Sequence, residues 1–434
     1  MGMQGSQFLP PTRDGSDTEQ PANISVRERI LATLDRIDQR DGRLHAFVEV
    51  DAEGALRRAD ALDRLPPAQR GALHGVPVAI KEIIDVAGRL CAWGSRLHTG
   101  RRPARDAVVV QRLLQAGAVV IGITASTEYA LAAPAATVHP LDALRSPGAS
   151  SSGSAAAVAA GLVPLALGSQ TIGSTIRPAA YCGVVGFKPS HRRYPTQGTL
   201  CLSERLDDVG LLADSVHRVV VADRVLADLP TSAPAQPTSG LCIVPPWFDE
   251  PLSDAMQVVL QKAHARLRGH GAAPRILRVD AWIAAEEQEI TDVVLTGELA
   301  RHHGAALGGA PARVSQELMD MVQRGQGLAP ARLAWAASRQ ARVADRLNAL
   351  LGPGEIALAP ATTGTAPLLT EGSGSRAPQR LWTLAGMPAL TLPIGFAEGL
   401  PVDIQLIART GEDAVLLHAA PRIEALLRDP AHGR

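Results

Sequence analysis

Hydrophobic positions along this chain switch between two periods. Val26, Ile30, Leu34 and Ile37 recur at helical spacing behind Ser25-x-x-Glu28, a capping box, so a helix is expected to open there and to close near Gly42. Short apolar runs at 46–50, 76–80, 118–122, 241–244 and 356–359 read as strands, several of them continuous enough to be buried on both faces. Asp106 is expected to open a helix that Gly117 closes, ahead of the strand at 118–122, a helix–strand unit of the parallel-sheet kind. The Ala-rich stretch at 155–168 reads as a buried helix ending near Gly161 and running into a short strand. Helical patterning dominates from about 252 to 350, including an Arg- and Ala-rich helix after Pro330, and Glu371 to Arg376 is the clearest loop. Alternating strands and helices place the chain in the α/β class.

Composition narrows the function more by exclusion than by suggestion. The 434 residues are 46% hydrophobic with zero formal net charge, enough to bury a large core and without the basic excess of a nucleic-acid binder. The longest apolar stretch is too short for a membrane span and is broken by Pro164. Residues 1–24 are polar, contain Pro and Gly, and read as a flexible tail without a signal-peptide core, so a cytoplasmic enzyme is expected. Cys91, Cys182, Cys201 and Cys242 are scattered without metal-ligand spacing and are expected to be reduced and structural; no metal and no organic cofactor is implied.

The segment 147–189 packs hydroxyls and glycines into loops beside apolar runs, where acyl transfer would sit. A serine nucleophile needs a base, a proton route and backbone N–H groups aimed at the developing oxyanion. Ser150, Ser174 and the turn Thr171-Ile172-Gly173 supply such parts. Lys81 is the candidate base. It is one of only three lysines beside a large excess of arginine, and it ends a buried strand at the carboxyl end, where open α/β sheets carry their sites. Burial favours a neutral amine, which accepts a proton as arginine cannot. The competing reading of Lys81 is a structural pair with Glu82 or Asp85.

Further motifs carry a resemblance. Gly148-Ala149-Ser150-Ser151-Ser152-Gly153-Ser154 and Thr171-Ile172-Gly173-Ser174 resemble the glycine- and serine-rich segments of the amidase signature family. Lys81 in Gly75-Val76-Pro77-Val78-Ala79-Ile80-Lys81-Glu82, the segments 182–189 and 206–210, and Trp382 to Ala389 with Gly399-Leu400-Pro401 fit in the same order. The similarity runs from about residue 25 to the C-terminus and is weakest at about 225–355. It implies one large α/β domain with a mixed central sheet flanked by helices on both faces. Its core would be about 70–225 and 355–434, with a helical region at about 226–354 shaping the substrate pocket. It further implies a Ser–cis-Ser–Lys triad of nucleophile Ser174, bridging Ser150 and base Lys81, with the N–H groups of Thr171, Ile172, Gly173 and Ser174 as oxyanion hole. The implied reaction is hydrolysis of a small-molecule amide, with no nucleic-acid or membrane partner; a homodimer is left open.

Ala149, Ser152 and Ile172 stand where the family usually has glycine, and Gln170 replaces a common Asp. A non-glycine residue at any position needing φ > 0 would be strained. The QTxGS turn followed by Arg and Pro-Ala is similar to malonamidase-like bacterial members, which implies a short acid amide such as malonamate held by Arg177; the competing reading is an arginine paired with a structural acid. Other classes stay open: one component of a transamidase complex, a carbamate or aryl-amide hydrolase, a phosphate-cradling module (against which the absence of G-K-[ST] counts) and an inactive scaffold. His74 and His191 lie near motif segments but read as structural, and Cys182 reads as a small buried filler.

Overall fold

In the central strands of this chain successive side chains enter two different cores, which is the period of two expressed in space. The computed structural model describes residues 24–229, 238–270 and 273–427, so the expected flexible tail at 1–24 lies, but for its last residue, outside the described residues. The strands are β1 (Phe47–Val50), β2 (Pro77–Lys81), β3 (Val119–Thr124), β4 (Leu165–Gln170), β5 (Val185–Lys188), β6 (Asp208–Ala213), β7 (Gly240–Ile243), β8 (Arg275–Ile276), β9 (Glu355–Pro360), β10 (Ala389–Ala397) and β11 (Leu400–Ile407). They form one mixed sheet in the order β1-β3-β2-β4-β6-β5-β10-β11-β9-β7-β8. β2 pairs parallel with β3 and β4, β4 pairs antiparallel with β6, and β6 with β5.

Val78, Ile80, Leu165, Leu167 and Leu211 face one hydrophobic core, while Ala79, Ala166 and Leu212 face the other, packed by the helices Val26–Leu44, Ala52–Asp63 and Ser152–Ala159. Helices therefore cover both faces of a single α/β domain. The region Asp254–Leu350 is mostly helical, its long members being Ala281–Gly308 and Pro330–Leu350.

Two helix boundaries differ from the sequence expectation. The capping box at Ser25 and Glu28 forms, but the helix runs past Gly42 to Leu44 and closes on His45 at φ 54. Asp41 explains this, since its carboxylate accepts the N–H groups of Ala46 and Phe47 and so stops the chain two residues later. The helix expected to open at Asp106 begins at Val108 after Ala107, and Asp106 instead accepts the N–H of Ala87 at 2.7 Å.

The topology gathers one end of the sheet. Parallel β2 and β4 finish with Lys81 and Gln170, and the antiparallel register Gln170↔Asp208 sets the start of β6 beside them.

Candidate active site

Lys81 is wholly buried, and every hydrogen-bond partner of its Nζ is a hydroxyl: Ser150 Oγ at 2.7 Å, Ser169 Oγ at 2.8 Å and Ser151 Oγ at 3.0 Å. Neither acid of the competing reading takes it. Asp85 is paired with Arg101 at 2.6 Å, and Glu82 accepts the N–H of Ser126 at 2.8 Å. Burial pushes the ammonium down to about 7, with the charges of Glu82 and Asp207 acting the other way. Near neutral pH a substantial share of the amine is therefore free to accept a proton.

The serine loop reaches Lys81 through a cis peptide between Ala149 and Ser150. Gly148 has φ 81, and a Cβ there would stand 2.8 Å from Pro178 Cα, so this glycine is required. None of Ala149, Ser152 and Ile172 has a positive φ, so the family's missing glycines leave no left-handed strain. Ser151 ties the parts together: its N–H donates to the carbonyl of Ser174 at 3.2 Å, and its hydroxyl bonds both the N–H and the carbonyl of Ser169. The sequence reading missed Ser151 and Ser169 as partners of the base. Ser169 had a readable signal, a polar residue at the end of an apolar strand as Lys81 is.

Ser174 is 8% exposed, and its carbonyl and those of the two residues before it are each engaged. The carbonyl of Ile172 accepts from Thr383 Oγ1 at 2.7 Å, that of Gly173 from the N–H of Arg177 at 2.9 Å, and that of Ser174 from Ser151. Among the described residues no protein acceptor takes the N–H of Ile172, Gly173 or Ser174. Gln170 organises the other side of this turn. Its Oε1 accepts the N–H groups of Thr175 and Ile176, each at 3.0 Å.

Arg177 is buried, and its guanidinium donates to the carbonyl of Ala149 (Nη2 at 2.8 Å, Nε at 3.3 Å) and to that of Gly374. It forms no ion pair with an acid among the described residues, and burial pushes its pKa down to about 10. The structural-acid alternative thus has no partner here.

A second polar group stands next door. Asp207 accepts from Thr171 Oγ1 at 2.7 Å and from the N–H groups of Leu202 and Ser203, and burial pushes its carboxyl up to about 6. Asp208 pairs with Lys188 and with His191, so His191 does have an acid partner, distant in sequence. Residues Ser169, Thr171, His191, Cys201, Asp207 and Asp208 line a cavity of about 220 Å³. His74 precedes β2 and lies at the opposite end of that strand from Lys81. Cys182 is buried and its thiol is pushed well up by burial, which leaves it unreactive.

Residues 28–417 match the family model described as Amidase. A Glutamyl-tRNA(Gln) amidotransferase subunit from Moorella thermoacetica is 32% identical over 462 residues, covering 94% of this chain and 95% of that protein. The crystal structure of an amidase superposes with a TM-score of 0.85 at 28% identity, covering 93% of this chain and 96% of that one. A peptide amidase in complex with the competitive inhibitor chymostatin superposes with a TM-score of 0.79 at 27% identity, over 94% and 96% of the two chains. Among the described residues no cluster of His, Cys, Asp and Glu is placed to hold a metal ion, and no helix is long and apolar enough to cross a membrane.

Proposed function

Since the chain belongs to the amidase family, we propose that it hydrolyses a small carboxylic amide to the acid and ammonia through an acyl-enzyme on Ser174. The observation that carries this is the Lys81 amine, sealed from water, with hydroxyls and no carboxylate as its hydrogen-bond partners, 2.7 Å from Ser150 Oγ. As Ser174 Oγ attacks the amide carbon, its proton passes to Ser150 while the proton of Ser150 passes to Lys81. The oxyanion that forms is met by the free N–H groups of the turn ending at Ser174. When the C–N bond breaks, the relay runs backwards and protonates the leaving nitrogen, so that ammonia departs. Water then attacks the ester, its proton again taken through Ser150, and Ser174 is regenerated with release of the acid.

A short acid amide such as malonamate suits Arg177. A buried cation bonded only to carbonyls is uncompensated, and a substrate carboxylate would neutralise it through the guanidinium protons still free. A second reading is favoured by the likeness to the amidotransferase component: the same chemistry delivered inside a complex. Fluorophosphonate labelling with peptide mapping tests the core of the proposal. Label on Ser174, lost in Ser174→Ala, is expected, together with a loss of kcat of about a thousandfold or more in that variant. Label elsewhere, or undiminished turnover in Ser174→Ala, would overturn it. Amide hydrolysis by the purified monomeric or homo-oligomeric chain separates the stand-alone reading from the complex, and preferred turnover of aryl amides or carbamates would replace malonamate.

A further inference from the structure

Thr383 lies 209 positions after Ser174, on the helix Ala377–Leu384, and it is almost wholly buried. Its hydroxyl sits in a chain of hydrogen bonds whose direction is fixed from one end. Gln170 Oε1 accepts two backbone N–H groups, Thr175 and Ile176, so that atom must be the amide oxygen and the other the NH2. Gln170 Nε2 therefore donates to Thr383 Oγ1 at 2.9 Å, and the single proton of Thr383 is left for the carbonyl of Ile172 at 2.7 Å.

That last bond has a consequence on the far side of the peptide. In a trans peptide the C=O and N–H point in opposite directions, so holding the Ile172 carbonyl back toward the helix turns the Gly173 N–H away from it. The neighbouring donor, Ser174 N–H, is set in the same way by the Gly173 carbonyl, but that carbonyl is held by the Arg177 N–H of the local helical turn. Of these two donors, among the described residues, it is the Gly173 N–H that depends on a side chain brought from a remote element. The same helix also lays Gln379 against the turn, where its Oε1 would stand 2.6 Å from a Cβ at position 173, so a side chain there would have to displace that amide.

We propose that Gln170 and Thr383 form a positioning bracket that holds the Gly173 N–H toward the oxyanion and prevents the 172–173 peptide from flipping its carbonyl into that place. The inference rests on the acyl-enzyme reading of Ser174. It makes Thr383 a positioning residue, acting through the turn and not on the substrate.

The test compares Thr383→Val, which keeps shape and loses the hydroxyl, with Thr383→Ser, which keeps the hydroxyl. Thr383→Val should lower kcat about ten- to a hundredfold, less than the loss of a whole oxyanion donor, with KM within about threefold. Its affinity for a boronic acid, which forms a tetrahedral adduct on serine, should fall in step with kcat, while affinity for the product acid stays. Thr383→Ser should recover most of both. Should Thr383→Val fail to fold, Gln170→Glu serves. Its carboxylate still accepts the two N–H groups but takes the Thr383 proton away from Ile172, and it should show the same parallel loss. Unchanged kcat in a folded variant, equal loss of boronic-acid and product-acid binding, or no recovery with serine would each overturn the bracket. Absence of fluorophosphonate label on wild-type Ser174 would instead overturn the acyl-enzyme reading beneath it.

Discussion

Lys81 ends β2 and Lys188 ends β5, with β4 and β6 between them in the sheet, and both side chains are wholly buried. Around Lys188 the protein supplies charge: Nζ lies 3.2 Å from Asp208 Oδ2 and donates to the carbonyl of Pro189. Burial pushes the Asp208 carboxyl up, but the charge of Lys188 and the hydrogen bond from His191 outweigh it and leave the carboxyl below its ordinary value. Around Lys81 the direct partners are hydroxyls alone, and Glu82 and Asp207 act on it only through their charge. Equal burial thus serves an ion pair at one strand end and a proton acceptor at the other, because a carboxylate in direct contact favours a buried ammonium where hydroxyls in contact leave burial to dominate.

The comparison breaks most sharply at Lys81 itself. Lys81→Ala and Lys81→Arg should both lower kcat by about a thousandfold or more, since arginine fills the site but cannot deprotonate. Substantial turnover in the arginine variant, measured at substrate saturation, would return Lys81 to a structural role. At the other strand end the expected loss is of stability. Lys188→Met leaves Asp208 buried without its main partner, which should cost about 3–5 kcal/mol in denaturant unfolding while kcat of the folded enzyme stays within about tenfold of wild type.

The pH dependence sharpens the same contrast. With its pKa brought down from 10.5 to about 7, Lys81 loses its basic form below neutrality, so kcat/KM should rise about tenfold per pH unit up to pH 7 and then level. Stability moves in the same direction. Between about 7 and 10.5 the unfolded chain holds a proton on this lysine that the folded chain does not, so the burden of burying it is full below 7 and fades as pH rises toward 10.5. Lys81→Met should therefore stabilise the fold at pH 6 and do little at pH 10.5; equal effects at both would show that burial does not shift this group.

How much of this was legible in the sequence follows from what each residue depends on. Lys81 and the turn at Thr171–Ser174 stand at strand ends, which apolar runs followed by polar residues mark locally, and the serine loop shows itself by its own run of hydroxyls before the helix Ser152–Ala159. The helix at Ser25 was readable for the same reason, and its true end was not, because Asp41 caps by reaching forward to Ala46 and Phe47. Lys188 and His191 find Asp208 only through the antiparallel pairing of β5, β6 and their loops, and Thr383 finds Ile172 across 211 positions. Such partners are set by tertiary register, which no local pattern announces. Arg177 combines both cases: its backbone place was clear and the direction of its fork was not.

That direction makes the smallest prediction a matter of ratios. The fork holds the carbonyl of Ala149, one peptide before Ser150, so Arg177→Leu loosens the bridging serine and should slow every substrate to some degree. A carboxylate clamp adds a loss confined to acid amides. Malonamate and propionamide share the scissile amide and differ in that charge, so the quotient of their kcat/KM values cancels the common loss. One charge-assisted hydrogen bond is worth about 1.5–3 kcal/mol, so the quotient should fall at least tenfold in Arg177→Leu. Arg177→Lys, which keeps a point charge without the fork, should fall between. If the quotient is the same in wild type and Arg177→Leu, the guanidinium serves the loop alone, and the uncompensated charge must find its counter-ion elsewhere than in the substrate.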